Sequence, residues 1–116
     1  MTTDTLFRIA SMTKAITSVA VMMLVEDGAL ALDDPIENYL PEFGDPKIFI
    51  ESGDRIPAKQ KPTIHHLLTH TSGIGYGWFG PEAQDAVYRE TGIPDLLIPA
   101  HETIGERVAR LGPLPL

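Results

Sequence analysis

An apolar segment near the start of the chain, residues 11–28, most constrains how this sequence can fold. Its apolar side chains recur at the spacing of one helical face: Met12, Ile16, Val19, Ala20 and Met23. Most residues between them are also apolar, and a helix that is apolar nearly all round needs packing partners on most sides. Gly28 follows two acidic residues and is a natural end for this helix.

The remaining segments are short. The pattern predicts a helix over 35–40, hairpin strands over 47–51 and 55–59, a helix over 64–70 capped by Thr63, helices around 81–91 and 102–111, and an extended tail over 112–116. Residues 73–80 contain four glycines and are predicted to form a loop. The expected fold is mostly α-helical, with long loops and one small hairpin. Because these segments cannot cover the apolar helix, we interpret the chain as a piece of something larger.

Composition excludes several classes of function. The chain has 116 residues and a net charge of −7, so it lacks the basic stripe that a nucleic acid or an anionic membrane would require. The absence of cysteine excludes disulfides, thiolate metal sites and a cysteine nucleophile. The longest apolar run is too short to span a bilayer. No secretion signal opens the chain, which favours the cytoplasm, although a truncated beginning would leave the compartment undecided.

Ser11 and Lys14 could form a nucleophile and its base. They lie one helical turn apart on one face. The helix dipole and burial would both favour the neutral amine, which can take the proton of Ser11. The Ser11 backbone N–H, unpaired at a helix start, would face a developing oxyanion. A plain N-cap at Ser11 or Thr13 remains the structural alternative, because a Ser-x-x-Lys spacing is common by chance.

Three blocks of sequence place this motif in a wider context. They are Phe-Arg-Ile-Ala-Ser-Met-Thr-Lys at 7–14, Leu-Ala-Leu-Asp-Asp-Pro-Ile-Glu-Asn-Tyr-Leu-Pro at 30–41 and Ile-His-His-Leu-Leu-Thr-His-Thr-Ser-Gly-Ile at 64–74. In this order they resemble the serine β-lactamase and penicillin-binding protein superfamily, above all the class C β-lactamases and family VIII carboxylesterases. The resemblance implies an α+β parent fold, an antiparallel sheet with a helical domain. It also implies that Ser11 is the acylated nucleophile, Lys14 its proton acceptor, and the Ser11 amide one of two oxyanion donors.

Two motifs of that superfamily do not occur in the chain. A Tyr-x-Asn or similar motif should supply the third catalytic group, and a Lys-Thr-Gly-like strand should supply the second oxyanion donor. The final residues, 110–116, resemble the approach to the tyrosine motif. We therefore expect residues 1–116 to be a partial domain, with the N-terminal strands and the C-terminal half absent. The missing remainder of the same polypeptide, or a companion chain, would complete it.

The resemblance implies a serine hydrolase that forms an acyl-enzyme with a small-molecule ester or β-lactam and needs no cofactor. Ser-Met-Thr-Lys with its Phe-Arg-Ile lead favours a carboxylesterase on short-chain esters. A β-lactamase or a D-alanyl-D-alanine carboxypeptidase is the alternative within this class. A catalytically inactive fragment or an interaction module is the alternative outside it. For the 116-residue chain alone we expect negligible turnover and poor solubility.

Two further groups of residues invite a functional interpretation. His66 and His70 share a helix face, but the glutamate of an H-E-x-x-H motif is missing, and we predict no metal site. Trp78 and Phe79 lie in the glycine-rich loop, where packing or an exposed lid competes with a role in lining the substrate cleft. The glycine pattern of this loop also mimics a nucleotide-binding loop. We reject that reading because the pattern follows a helix rather than a strand.

Overall fold

The computed structural model of the protein describes residues 1–50, 52–93 and 101–116. The chain divides into two compact units, Met1–Leu32 and Asp33–Leu116. The first unit contains the long apolar helix, and the second contains the hairpin and the shorter helices. Among the described residues, no helix is both long enough and apolar enough to cross a bilayer.

The apolar helix α1 (Thr13–Glu26) follows a 3-10 turn over Ala10–Met12. It therefore begins and ends about two residues inside the predicted range of 11–28. The predicted glycine end is confirmed: Gly28 adopts a φ of +70°, its N–H donates to Val25 O, and the N–H of Ala29 donates to Leu24 O. These two hydrogen bonds form a Schellman motif, which satisfies carbonyls that the end of a helix would otherwise leave unpaired.

No residue of α1 is buried in the described chain. Ile16 and Val19, on its predicted apolar face, are 64% and 62% exposed. Among the described residues we therefore find neither packing on most sides of α1 nor the burial of Lys14 that would accompany it.

The second unit begins differently from the prediction. Residues 35–40 do not form an α-helix but a 3-10 turn over Ile36–Asn38, followed by another over Pro41–Phe43. Pro35 is extended, with a ψ of 139°, and Pro41 has no N–H to continue an α-helix. Ile36 and Phe43 are nonetheless buried and form part of the core of this unit.

The predicted hairpin is confirmed, with shorter strands. Strand β1 (Lys47–Phe49) pairs antiparallel with β2 (Arg55–Pro57), and Ile48 lies opposite Ile56. Gly53 provides the positive φ of the turn. Glu51, which the prediction includes in the first strand, lies outside the described residues.

Helix α2 (Ile64–Leu68) begins at the predicted cap. Thr63 Oγ1 accepts the N–H of His66, and His66 Nδ1 accepts the N–H of Thr63. This capping box satisfies two donors of the first turn. The helix ends two residues before the predicted limit, and His70 adopts a left-handed φ of +58°.

Helices α3 (Glu82–Glu90) and α4 (Ile104–Leu111) confirm the remaining two helical predictions. Thr103 and Glu106 form a second capping box at the start of α4. The N–H and hydroxyl of Thr103 donate to the Glu106 carboxylate and lower the pKa of that group. Tyr88 of α3 and Leu114 of the tail complete the buried core.

Candidate active site

Ser11 and Lys14 lie together at the beginning of α1. Lys14 Nζ donates to Ser11 Oγ over 3.1 Å, and both side chains are exposed to solvent. The contact is local, since Ser11 lies in the 3-10 turn and Lys14 in the first turn of the α-helix. The predicted pair is thus within the distance at which a proton can pass between the hydroxyl and the amine.

Ala10, directly before Ser11, has an unusual backbone conformation. Its φ is +44°, in the left-handed region where a Cβ is disfavoured. Ala10 is the first residue of the 3-10 turn, in which Met12 N–H donates to Ile9 O over 3.1 Å. Strained backbone of this kind is found at functional sites more often than elsewhere.

Substitutions at Ala10 should reveal this strain as changes in the free energy of unfolding. We expect Ala10→Gly to raise the free energy of unfolding by up to about 1 kcal/mol, because glycine adopts a positive φ without a Cβ clash. Ala10→Val should lower it by about 1–2 kcal/mol, because a β-branched residue is least compatible with that region. Urea denaturation followed by circular dichroism measures both values. Equal stability of the two variants would contradict the strained conformation.

The glycine-rich loop over 73–80 presents three aromatic rings, which we term the aromatic cluster: Tyr76, Trp78 and Phe79. The ring centroids lie 5.7 Å apart for Tyr76 and Trp78, 5.8 Å for Trp78 and Phe79, and 6.3 Å for Tyr76 and Phe79. All three rings are exposed, Phe79 to 82%. The structure therefore brings together the two residues singled out from the sequence and adds Tyr76.

Each of the four glycines of this loop is hydrogen-bonded by one side chain of α3. Gln84 Nε2 donates to Gly73 O over 2.9 Å, and Tyr88 Oη accepts from Gly75 N–H over 3.2 Å. Arg89 Nη1 donates to Gly77 O over 2.8 Å, and Asp85 Oδ2 accepts from Gly80 N–H over 3.0 Å. A Cβ on Gly80 would lie 3.0 Å from the Gln84 side chain, so the approach is close. Close packing thus accounts for Gly80, whereas Gly73 and Gly77 adopt positive φ values of +84° and +90°.

Three polar residues of α3 are buried under the loop: Gln84, Asp85 and Tyr88. Tyr88 is only 1% exposed, and its hydroxyl also donates to Pro115 O over 3.1 Å. Asp85 Oδ1 is buried and has no hydrogen-bond partner among the described residues. Sequence reasoning did not select these residues. A feature of the sequence could have identified them: polar side chains about one turn apart on α3 can bond the glycine backbone of the preceding loop.

Burial raises the pKa of the Tyr88 phenol above its ordinary value of 10.0. The stabilisation from its protonated form is complete below about pH 10 and is lost as the pH rises through the folded-state pKa, because the unfolded chain ionises first. We therefore expect the free energy of unfolding to fall above about pH 10 in urea titrations. Tyr88→Phe should flatten this alkaline fall, and an unchanged slope in that variant would contradict the assignment.

The histidines do not form a metal site in the described part of the chain. No group of three histidine, cysteine, aspartate or glutamate side chains is suitably placed there to hold a metal ion. His66 instead caps α2, and its ring contacts His65 edge-on at 6.0 Å.

The second unit also contains an open cavity of about 510 Å³. Its lining comes from β1, the segment 58–62, α2, the turn over 71–73 and the final residue, and includes Ile48, Lys59, His66, Ser72 and Leu116. None of the predicted site residues lines it. No ring of the aromatic cluster lines the cavity, but Gly73 at the start of the same loop does.

Comparison with known proteins decides the family. The Beta-lactamase family model matches residues 1–116. The chain belongs to the Beta-lactamase family. The resemblance inferred from the three sequence blocks is confirmed, and a Beta-lactamase-like fold is supported.

Several known proteins share a substantial part of the sequence. The chain is 45% identical over 116 residues to Esterase EstB of Burkholderia gladioli, covering all of this chain and 27% of the esterase. It is 49% identical over 82 residues to Protein Rv1367c of Mycobacterium tuberculosis, covering 67% of this chain and 20% of that protein. It is 43% identical over 77 residues to Acyltransferase calJ of Penicillium decumbens, covering 63% of this chain and 18% of the acyltransferase. The chain thus spans about a quarter or less of the length of these relatives.

Proposed function

We propose that the whole protein is a serine hydrolase that works through an acyl-enzyme, and that it acts as a carboxylesterase on short-chain esters. The observation that carries this proposal is the 3.1 Å hydrogen bond between Lys14 Nζ and Ser11 Oγ at the start of α1. Membership of the Beta-lactamase family and the 45% identity to an esterase support it.

In the proposed reaction, Ser11 Oγ attacks the ester carbonyl carbon while Lys14 Nζ accepts the hydroxyl proton. The carbonyl oxygen becomes an oxyanion, to which the Ser11 backbone N–H donates a hydrogen bond. Collapse of this intermediate breaks the bond to the alcohol oxygen, which takes the proton from Lys14 and leaves. Water then attacks the acyl-enzyme, releases the acid and restores the serine hydroxyl.

Transfer of the acyl group to an alcohol instead of water is a second candidate. Two fungal relatives favour it: Acyltransferase calJ, and ML-236A carboxylate methylbutanoyltransferase mlcH of Penicillium citrinum, which is 34% identical over 90 residues. Both reactions share the acyl-enzyme and differ in the second nucleophile. Product analysis with and without an added alcohol distinguishes an ester product from a free acid. A parallel assay with a chromogenic cephalosporin tests the β-lactamase alternative.

A serine-reactive fluorophosphonate tests the proposed nucleophile without requiring turnover. We expect one covalent adduct by intact-mass spectrometry, with peptide mapping that places it on Ser11. Ser11→Ala should abolish it, whereas Ser18→Ala, a serine within the same helix, should retain it. An adduct that survives Ser11→Ala, or one that maps to another residue, would overturn the assignment.

A further inference from the structure

We propose that the open cavity of the second unit is a binding site for an aliphatic monocarboxylate. Neither Ser11 nor Lys14 lines this cavity, so the site is inferred without any residue of the proposed reaction. That such an acid is also a product of ester hydrolysis rests on the proposed function. Three observations support the site: the apolar walls of the cavity, the balance of charge in its lining, and the hydrogen-bond donors that the lining offers.

The walls of the cavity suit an aliphatic chain. Its volume of about 510 Å³ lies within the range of small-molecule sites, about 300–1,000 Å³. Among the described lining residues, four have apolar side chains: Ile48, Ala58, Pro62 and Leu116. Pro62 is buried, whereas the other three are only half-buried and keep apolar surface that a ligand chain can cover.

The charges of the lining favour a ligand with a single negative charge. The described lining residues include two lysines and no acidic side chain, although the whole chain has a net charge of −7. Lys61 is already paired with the carboxylate of Glu37. Lys59 forms no ion pair with any described residue. One uncompensated lysine matches a carboxylate better than a phosphate dianion, because a second negative charge taken from water would remain unpaired.

Two further residues of the lining offer hydrogen-bond donors. His66 Nδ1 accepts the N–H of Thr63, so the neutral imidazole carries its proton on Nε2, which is then a donor. Ser72 Oγ accepts the N–H of Ile74, which leaves the hydroxyl proton of Ser72 available. Together with the Lys59 ammonium, these groups suit a ligand that only accepts hydrogen bonds, and an ionised carboxylate is such a group.

Octanoate and octylammonium, which share an eight-carbon chain and differ in charge, provide the first test. The chain is prepared as its C-terminal amide, because a free carboxylate on Leu116 would add a negative charge to the lining. In ¹H–¹⁵N NMR titrations, we expect octanoate to shift the amide signals of Ser72 and Gly73 saturably, with a dissociation constant on the order of 1 mM. Octylammonium should leave both signals unshifted, even though the acidic chain attracts cations elsewhere. Acetate lacks the aliphatic chain and should bind at least about tenfold more weakly than octanoate.

A matched pair of lysine variants tests the charge of the cavity. Lys59→Met removes the charge but keeps a long side chain, and should weaken octanoate binding about two- to fivefold. Lys47→Met removes an exposed lysine of β1 that does not line the cavity, and should leave binding unchanged. An affinity unaffected by Lys59→Met would overturn the proposal. So would octylammonium shifting the same signals, or acetate or inorganic phosphate binding as tightly as octanoate.

This test is separable from that of the proposed function, because octanoate has no ester bond for Ser11 to cleave. Octanoate binding without fluorophosphonate labelling of Ser11 would retain the carboxylate site and overturn the serine mechanism. Labelling of Ser11 without octanoate binding would retain the mechanism and overturn the carboxylate site.

Discussion

Lys14→Met slows fluorophosphonate labelling of Ser11 by about 10²–10⁴-fold if Lys14 is the base that activates the hydroxyl. The expectation follows from the geometry, because Lys14 Nζ is 3.1 Å from Ser11 Oγ. Methionine has nearly the same length and retains the helix propensity of lysine, but it cannot accept a proton under these conditions. The second-order labelling rate constant, measured by intact-mass spectrometry over time, gives the effect directly.

Lys14→Arg separates the charge of the side chain from its basicity. Arginine retains a cation and hydrogen-bond donors, but it cannot be deprotonated in a protein and so cannot serve as a base. We expect this variant to label as slowly as Lys14→Met. Restored labelling in Lys14→Arg would show that Lys14 acts through its charge, and would contradict its role as proton acceptor. Circular dichroism of both variants checks that α1 remains helical.

The local parts of the fold could be predicted from the sequence because they depend on neighbouring residues. Thr63 and Gly28 act within one turn of their own helices, and both predicted roles are confirmed. The contact between Ser11 and Lys14 is also fixed by spacing within one turn. The short helix expected at residues 35–40 is present only as a 3-10 turn over Ile36–Asn38, and Pro41 has no N–H with which to continue it.

The support of the aromatic loop could not be predicted from local patterns. Gln84 bonds Gly73 across 11 residues, and Tyr88 bonds Pro115 across 27 residues. Periodicity reports which face of a helix is apolar, but it does not indicate where a buried polar side chain finds its partner. The same glycine pattern that mimics a nucleotide loop instead includes a close approach to α3 at Gly80 and a close approach to Leu116 at Gly73. Only the tertiary structure distinguishes these two uses of glycine.

Tyr88→Ala should destabilise the second unit by about 3–5 kcal/mol. The side chain is 1% exposed, so its removal leaves a cavity. It also leaves Gly75 N–H without its partner, while Pro115 O retains the weaker bond from Gln84 at 3.3 Å. Urea denaturation monitored through Trp78, which lies in the loop that Tyr88 supports, measures this loss.

Two tyrosine variants divide this loss between packing and hydrogen bonding. Tyr88→Phe keeps the ring and removes only the hydroxyl, and should cost about 1–3 kcal/mol because buried polar groups lose a partner. Tyr39→Phe is the matched control, since the Tyr39 hydroxyl donates to Asp34 Oδ2 over 2.6 Å at an exposed position. That bond competes with water, so its loss should cost less than the loss of the buried Tyr88 hydroxyl. Equal costs for Tyr88→Phe and Tyr39→Phe would mean that the hydroxyl of Tyr88 does not hold the loop. The loop would then depend on Gln84, Asp85 and Arg89 alone.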